Sequence, residues 1–282
     1  RLSDGRELWD LLPHFSKFAA EAKSSNPALS DFEVFDALQK RPKVDFPTFD
    51  SQMSTDEFCN DLKLETQARH FVSRSIAWLQ ANTLTAERLA AWRWTKWFSQ
   101  YADRLSAITS FNYDTICESA LDASKAKFYR AALVGAGSGT MLHKPHGSVD
   151  FECSVLDIEV RYPLENLISR NNTPIRMVSD ILGATIDAEI VLPSEASTIG
   201  EFQWVQHGAR KWRDLASKCD HLIIAGLSYW ECDRPELDDL VASVPVSARI
   251  HFCNPNPSEE WLGKLQRRFT DVVVEKDGPP TL

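Results

Sequence analysis

The sequence predicts an α/β protein: a doubly wound parallel sheet with a helical N-terminal insertion. Three observations predict it. Residues 1–103 read almost wholly as helix, short apolar runs alternate with helical stretches from residue 104 onward, and polar and glycine residues follow directly after several of those runs. Strands alternating with helices are the pattern of parallel sheets, whose ligands bind outside the carboxyl ends of the strands.

In chain order, Asp4, with Glu7 three residues on, caps a helix running through Leu8, Leu11, Leu12 and Phe15. Asp31 opens a short helix with Phe32, Phe35 and Leu38 on one face, and residues 41–50, with Pro42 and Pro47, read as a loop. A long helix runs from about Thr55 to Ala81, its apolar positions including Phe58, Leu62, Phe71, Ile76 and Leu79. Another spans about Thr85 to Tyr101 and holds Trp92, Trp94 and Trp97. Such a helix could stack bases, but no Lys/Arg ladder accompanies it, which favours a helix packed on both sides. The period then changes. Leu105–Ser110 reads as a buried strand, about Tyr113 to Ala123 as helix, and Lys127–Val134 as a second strand. A helix over about Phe202 to Ser217 leads into the strand His221–Ala225; strand Arg249–Phe252, a helix near Glu259–Phe269 and strand Val272–Val274 follow. The expected division is a helical subdomain, 1–103, and an α/β domain, 104–282.

Composition limits the function. The 282 residues are 43% hydrophobic and 25% charged, ordinary globular usage that excludes collagen, coiled coil and wholesale disorder. No run approaches about 18 consecutive apolar residues, so no membrane-spanning helix is expected. A net charge of −9 argues against direct nucleic-acid binding, which usually needs a basic face. Cys59, Cys117, Cys153, Cys219, Cys232 and Cys253 contain no C-x-x-C pair. They read as reduced core thiols of a cytoplasmic protein, and no metal is expected.

Four polar groups fall where strands end. Thr109-Ser110-Phe111-Asn112-Tyr113-Asp114 follows the first strand, and is either a ligand-facing turn or a helix cap. His146-Gly147-Ser148, after Lys144 and Pro145, offers an imidazole, either a general base or a plain hydrogen-bonding residue. Gly226-Leu227-Ser228, with Asp233 beyond, lets backbone and hydroxyl approach a phosphate or ribose, or is an ordinary turn. Asn254-Pro255-Asn256-Pro257 offers an amide to a ribose hydroxyl, or makes a turn.

In this order, Thr-x-x-Asn-Tyr-Asp, His-Gly-Ser, Gly-x-Ser-x4-Asp and Asn-Pro resemble the SIR2-like family, and more narrowly its prokaryotic anti-phage defence domains. Leu192-Pro193-Ser194 and the helix with Trp212 and Leu215 add to the likeness, which covers about residues 100–260. It implies a Rossmann-like sheet and an NAD hydrolase that releases nicotinamide and ADP-ribose. Asn112 would lie under the nicotinamide ribose and orient water or a ribose hydroxyl; Asp114 would contact the nicotinamide end, and His146 would be the base. Gly226 and Ser228 would hold phosphate and ribose, and Asn254 the adenosine ribose. The resemblance further implies regulation by a homo-oligomer or partner protein.

Two features depart from the family. Its opening strand with Gly-Ala-Gly-x-Ser has no counterpart before residue 104, and is expected ahead of Arg1. Gly135-Ala136-Gly137-Ser138-Gly139 follows a strand but precedes no helix, so it is expected to be a flexible hairpin loop. The four zinc-binding cysteines of the deacetylase sirtuins are also absent, which weakens a deacylase reading. A non-catalytic module binding NAD or ADP-ribose, or mediating assembly, is the alternative.

Overall fold

The computed structural model describes residues 11–41, 55–133, 137–153, 175–183, 188–192 and 202–282. Helix α1 (Pro13–Ser25) starts at a proline, whose missing N–H is no loss in a first turn. The turn capped by Asp4 lies outside the described residues, and the helix continues well past Phe15. Helix α2 (Asp31–Gln39) opens at Asp31, as expected, and is capped by Ser30. The Ser30 hydroxyl accepts the Glu33 N–H, and the Glu33 carboxylate accepts the Ser30 N–H. Of the expected loop 41–50, residues 42–50 lie outside the described residues.

Helix α3 (Thr55–Thr83) matches its expected span, and its expected stripe holds in part. Leu64, Ala68, Val72 and Ala77 face the core with Phe71 and Ile76 packed beside them, while Leu62 and Leu79 are exposed. The helix expected over Thr85–Tyr101 is broken. Trp92 adopts an extended backbone (φ −64°, ψ 132°) and separates α4 (Ala86–Ala91) from α5 (Arg93–Tyr101). Packing on both sides therefore fails for Trp92, which is exposed; Trp97 is buried and donates its indole N–H to the Pro280 carbonyl at 2.6 Å.

Strands β1 (Ala107–Thr109), β2 (Phe128–Arg130) and β3 (Thr140–His143) form a parallel sheet in the order β1-β3-β2. Helix α6 (Ile116–Ala123) connects β1 to β2. Because β2 and β3 run parallel, with Phe128 opposite Thr140, their connection, which ends with Gly137–Gly139, is a crossover and not a hairpin; Gly135 and Ala136 lie outside the described residues. After β3 the chain enters an antiparallel sheet that the sequence reading did not foresee. There β4 (Gly147–Cys153) lies between β5 (Ile175–Met177) and β6 (Ala188–Ile190). Helix α7 (Gln203–Ala216) leads into the third sheet, all parallel: β7 (His221–Ala225), β8 (Arg249–Cys253) and β9 (Val272–Glu275). Helix α8 (Arg234–Ala242), also unforeseen, and α9 (Glu259–Arg268) make its crossovers.

The two parallel sheets share their covering layers. On one face Ala107, Met141, Leu222, Ile224, Ile250 and Phe252 pack with α7, α8 and α9 through Trp212, Leu240 and Trp261. On the other, Ile108, Phe128 and Ile223 meet Trp97, Phe98 and Leu121 of α5 and α6. A third cluster joins α1, α2 and α3 to Ile190 and Leu192 around β6. Helices on both faces are what parallel strands need in order to bury their apolar residues. None of the described helices is long and apolar enough to cross a membrane.

One close approach locks α7 onto β3. The His143 ring is buried, and neither nitrogen has a hydrogen-bond partner among the described residues. It occupies the space where a side chain at Gly208 would lie, since a Cβ there would stand 2.1 Å from Nδ1. Burial, with a smaller contribution from His146, pushes the His143 pKa down to about 3 from 6.5. The folded ring stays neutral while the unfolded ring takes up a proton, so stability falls as pH drops from 6.5 toward about 3. The expected loss from this residue is up to about 1.4 kcal/mol per pH unit. Urea midpoints at pH 7 and pH 5 should separate more in the wild-type protein than in His143→Leu. Gly208→Ala should lose about 1–3 kcal/mol at neutral pH by overpacking.

Candidate functional site

Three segments meet where β1, β3 and β7 end. The first follows β1. Ser110 donates its N–H to the His143 carbonyl at 2.9 Å, which holds the start of the turn against β3. Asn112 is exposed beyond it. Tyr113 turns inward and donates its hydroxyl to the Val191 carbonyl at 2.6 Å. Asp114 Oδ1 accepts the Ile116 N–H at 3.0 Å, so this carboxylate does serve the start of α6, as the helix-cap reading allowed.

The second segment is the turn from β3 to β4, which carries His146. Gly147 has φ +83°, and a Cβ there would stand 2.3 Å from the Glu189 carbonyl oxygen. Only glycine permits β6 to come this close. The His146 carbonyl in turn accepts the Val191 N–H at 2.9 Å. The imidazole lies edge-on to Phe111, with centroids 5.1 Å apart, and 6.1 Å from the Tyr113 ring. Its Nε2 is 3.5 Å from Glu236 Oε2 and 3.9 Å from Asp233 Oδ1. These carboxylates stand at the start of α8, one helical turn apart. Asp233 was noted in the sequence; Glu236 was not, although an Asp-x-x-Glu pair opening a helix is a readable signal.

The third segment follows β7. Gly226 has φ +63° and open space where a Cβ would be, and its N–H bonds to the Cys253 carbonyl at 3.2 Å. Ser228 is exposed. Asn254 makes the turn it was also suspected of making: Oδ1 accepts the Asn256 N–H at 2.9 Å, and Nδ2 donates to the Leu227 carbonyl at 3.4 Å. It thereby ties the end of β8 to the end of β7.

Asn112, Asp114 and Gly226 line one cavity of about 860 Å³ between β1 and β7. His146 stands beside this cavity, against its lining residue Phe111, whereas Ser228 and Asn254 belong to the loops after β7 and β8. No family model matches the chain, and no curated protein does.

Beneath the His146 turn is a buried charge cluster. The Lys144 ammonium donates to the Asp114 carbonyl and, at 3.0 Å, to Ser148 Oγ. It also lies 3.3 Å from Glu118 Oε1, which Arg130 approaches at 3.3 Å from β2. Arg130 closes the set by pairing with Asp150 at 2.6 Å. Glu118 receives no aligned hydrogen bond among the described residues, so its stabilisation there is coulombic, from the two cations. Glu118→Leu would leave Lys144 without its ion partner. The expected cost is about 3–5 kcal/mol, read as the shift in urea midpoint, and Glu118→Leu combined with Lys144→Met should recover part of it.

Proposed function

We propose that the two parallel sheets are halves of one Rossmann-like, doubly wound sheet, and that the crevice at their carboxyl ends hydrolyses NAD to nicotinamide and ADP-ribose. The observation that carries this is the setting of His146. An imidazole stands at the crevice beside the turn bearing Asn112, with two carboxylates near its Nε2. The resemblance of the motif series to SIR2-like defence domains supplies the substrate class.

The chemistry suits those groups. Cleavage of the N-glycosidic bond leaves nicotinamide as a neutral leaving group and puts oxocarbenium-like charge on the ribose. Water adds to that carbon, and its proton passes to His146. The balance is NAD plus water giving nicotinamide, ADP-ribose and a proton. Asp233 and Glu236 would stabilise the imidazolium as it forms, and carboxylates near the reacting centre favour a developing positive charge. Asn112 would orient the water, Gly226 and Ser228 would meet phosphate and ribose, and Asp114 would contribute its backbone turn at the nicotinamide end. The proposed setting is a cytoplasmic defence protein, held silent until a homo-oligomer or a partner protein engages it.

One observation favours the assembly form of the non-catalytic alternative: the side chains of Asp114 and Asn254, both assigned to NAD, are engaged in the protein's own turns. Turnover separates the two readings. Nicotinamide release from NAD, followed by chromatography on the full-length protein, should fall on the order of 10²-fold or more in His146→Ala. Asn112→Ala should also lower it. Equal release by all three proteins removes the catalytic assignment, and NAD binding in a calorimeter with no release would establish the binding module.

A further inference from the structure

We propose that His221, His251 and Glu275 form a proton-sensitive latch across the third sheet, and that it controls a strap, residues 277–282, beside the cavity between β1 and β7. The inference is independent of the enzymatic reading. In the register of β7 and β8, His221 stands opposite Arg249 and Ile223 opposite His251. In that of β8 and β9, His251 stands opposite Val273 and Cys253 opposite Glu275. Alternate residues share a face, so the three side chains lie on a diagonal of one face, where Ile223 joins the apolar cluster of α5 and α6. The His221 and His251 rings stack, with centroids 5.3 Å apart and 18° between their planes. His221 Nδ1 is 3.1 Å from His251 Nε2, and His251 Nδ1 is 3.3 Å from Glu275 Oε1.

These contacts fix where the protons are. A carboxylate only accepts, so His251 Nδ1 carries a proton. Nε2 of the neutral ring then accepts, and His221 Nδ1 donates to it. One added proton leaves the bridge intact, because a single N–H still lies between the facing nitrogens, and Glu275 offsets the charge. A second proton makes both rings cationic with an N–H on each facing nitrogen, and the bridge is lost. His251 is 4% exposed whereas His221 is open to solvent, so protons arrive at His221. Partial desolvation lowers the His221 pKa from 6.5; His251, Arg249 and Arg104 add to this and Asp220 opposes it. Arg249 is itself paired with Asp271. Protonation therefore works against the closed latch as pH falls below 6.5.

The strap begins two residues after Glu275. Its Asp277, Pro280 and Leu282 carbonyls accept from Arg93, from the Trp97 indole at 2.6 Å and from Arg104 at 3.4 Å. Glu275, Lys276, Gly278 and Leu282 line the cavity together with His221 and Arg104. Arg104 links latch to strap: it holds the Leu282 carbonyl, and its charge opposes charge on His221. When both rings are charged, Arg104 is repelled and its bond to Leu282 weakens. The latch then also releases β9, from which the strap runs. The strap leaves α5, and the cavity opens on that side.

Exchange of the Trp97 indole proton, followed by NMR on the full-length protein and corrected for the intrinsic rate, tests this. Its protection should fall about tenfold between pH 7.5 and 5.5 in the wild type. In His221→Gln, whose amide still donates to His251 but takes no proton, the fall should be less than about twofold. Glu275→Gln, which removes the offsetting charge, should move the fall to lower pH. The Met141 amide, bonded to the Ser106 carbonyl, reports opening of the sheet as a whole, to which His143 contributes, and should change alike in wild type and His221→Gln. An equal fall at Trp97 in wild type and His221→Gln would overturn the inference. So would the absence of a fall in the wild type, or Trp97 protection equal to that of Met141 at every pH, which assigns the effect to global unfolding.

Discussion

A single buried ammonium, that of Lys144, determines where the candidate site stands. It reaches Glu118 on α6, the Asp114 carbonyl at the end of the β1 turn and Ser148 on β4. An unpaired ammonium in such a place would be prohibitively desolvated, so the three segments must converge on it. Glu118 is in turn shared with Arg130, and Arg130 with Asp150, which closes a set of two cations and two anions with no net charge left inside. The set crosses from the parallel sheet into the antiparallel one. It therefore fixes the position of β4 and of the turn that carries His146, two residues from Lys144.

The same cluster explains why β4 escaped sequence reading while β7 did not. HLIIA is apolar throughout, and such a run has few readings other than a strand. GSVDFEC alternates, which suggests a strand with one wet face. In the structure both faces are buried. Val149 and Phe151 pack inward on one side, and Ser148, Asp150 and Glu152 are enclosed on the other. Of the cations that make this tolerable, Lys144 stands just before the strand, while Arg130 and Arg176 lie 20 and 24 residues from their partners, separations no local pattern displays. Helix edges failed for a related reason. Trp92 breaks a stretch whose apolar spacing looks continuous, because periodicity records side chains and not where the backbone changes conformation.

The site was legible as positions and less so as partners. The turns after β1, β3, β7 and β8 fall where polar residues follow apolar runs, and glycine marks two of them because the backbone there takes positive φ. The sequence did not show which polar side chains remain available. Asp114 and Asn254 read equally well as ligands or as turn formers, and their hydrogen bonds place them in the turns. Glu236 lies ninety residues from His146 in sequence, and only the approach of α8 to the β3–β4 turn brings them together.

Two histidines three residues apart, His143 and His146, show how environment decides role. Both sit near the end of β3, and the spacing alone does not choose between them. His143 points into the layer beneath α7, without polar partners among the described residues, and burial holds its pKa down to about 3. A base that weak keeps almost no proton at neutral pH, so it acts there as an apolar filler. His146 stands in the turn, partly open, with aromatic rings on its sides and two carboxylates near Nε2. At 3.5 and 3.9 Å these contacts are too long for strong hydrogen bonds. Of the two histidines at this strand end, only His146 is partly open and has carboxylates within 4 Å of its ring.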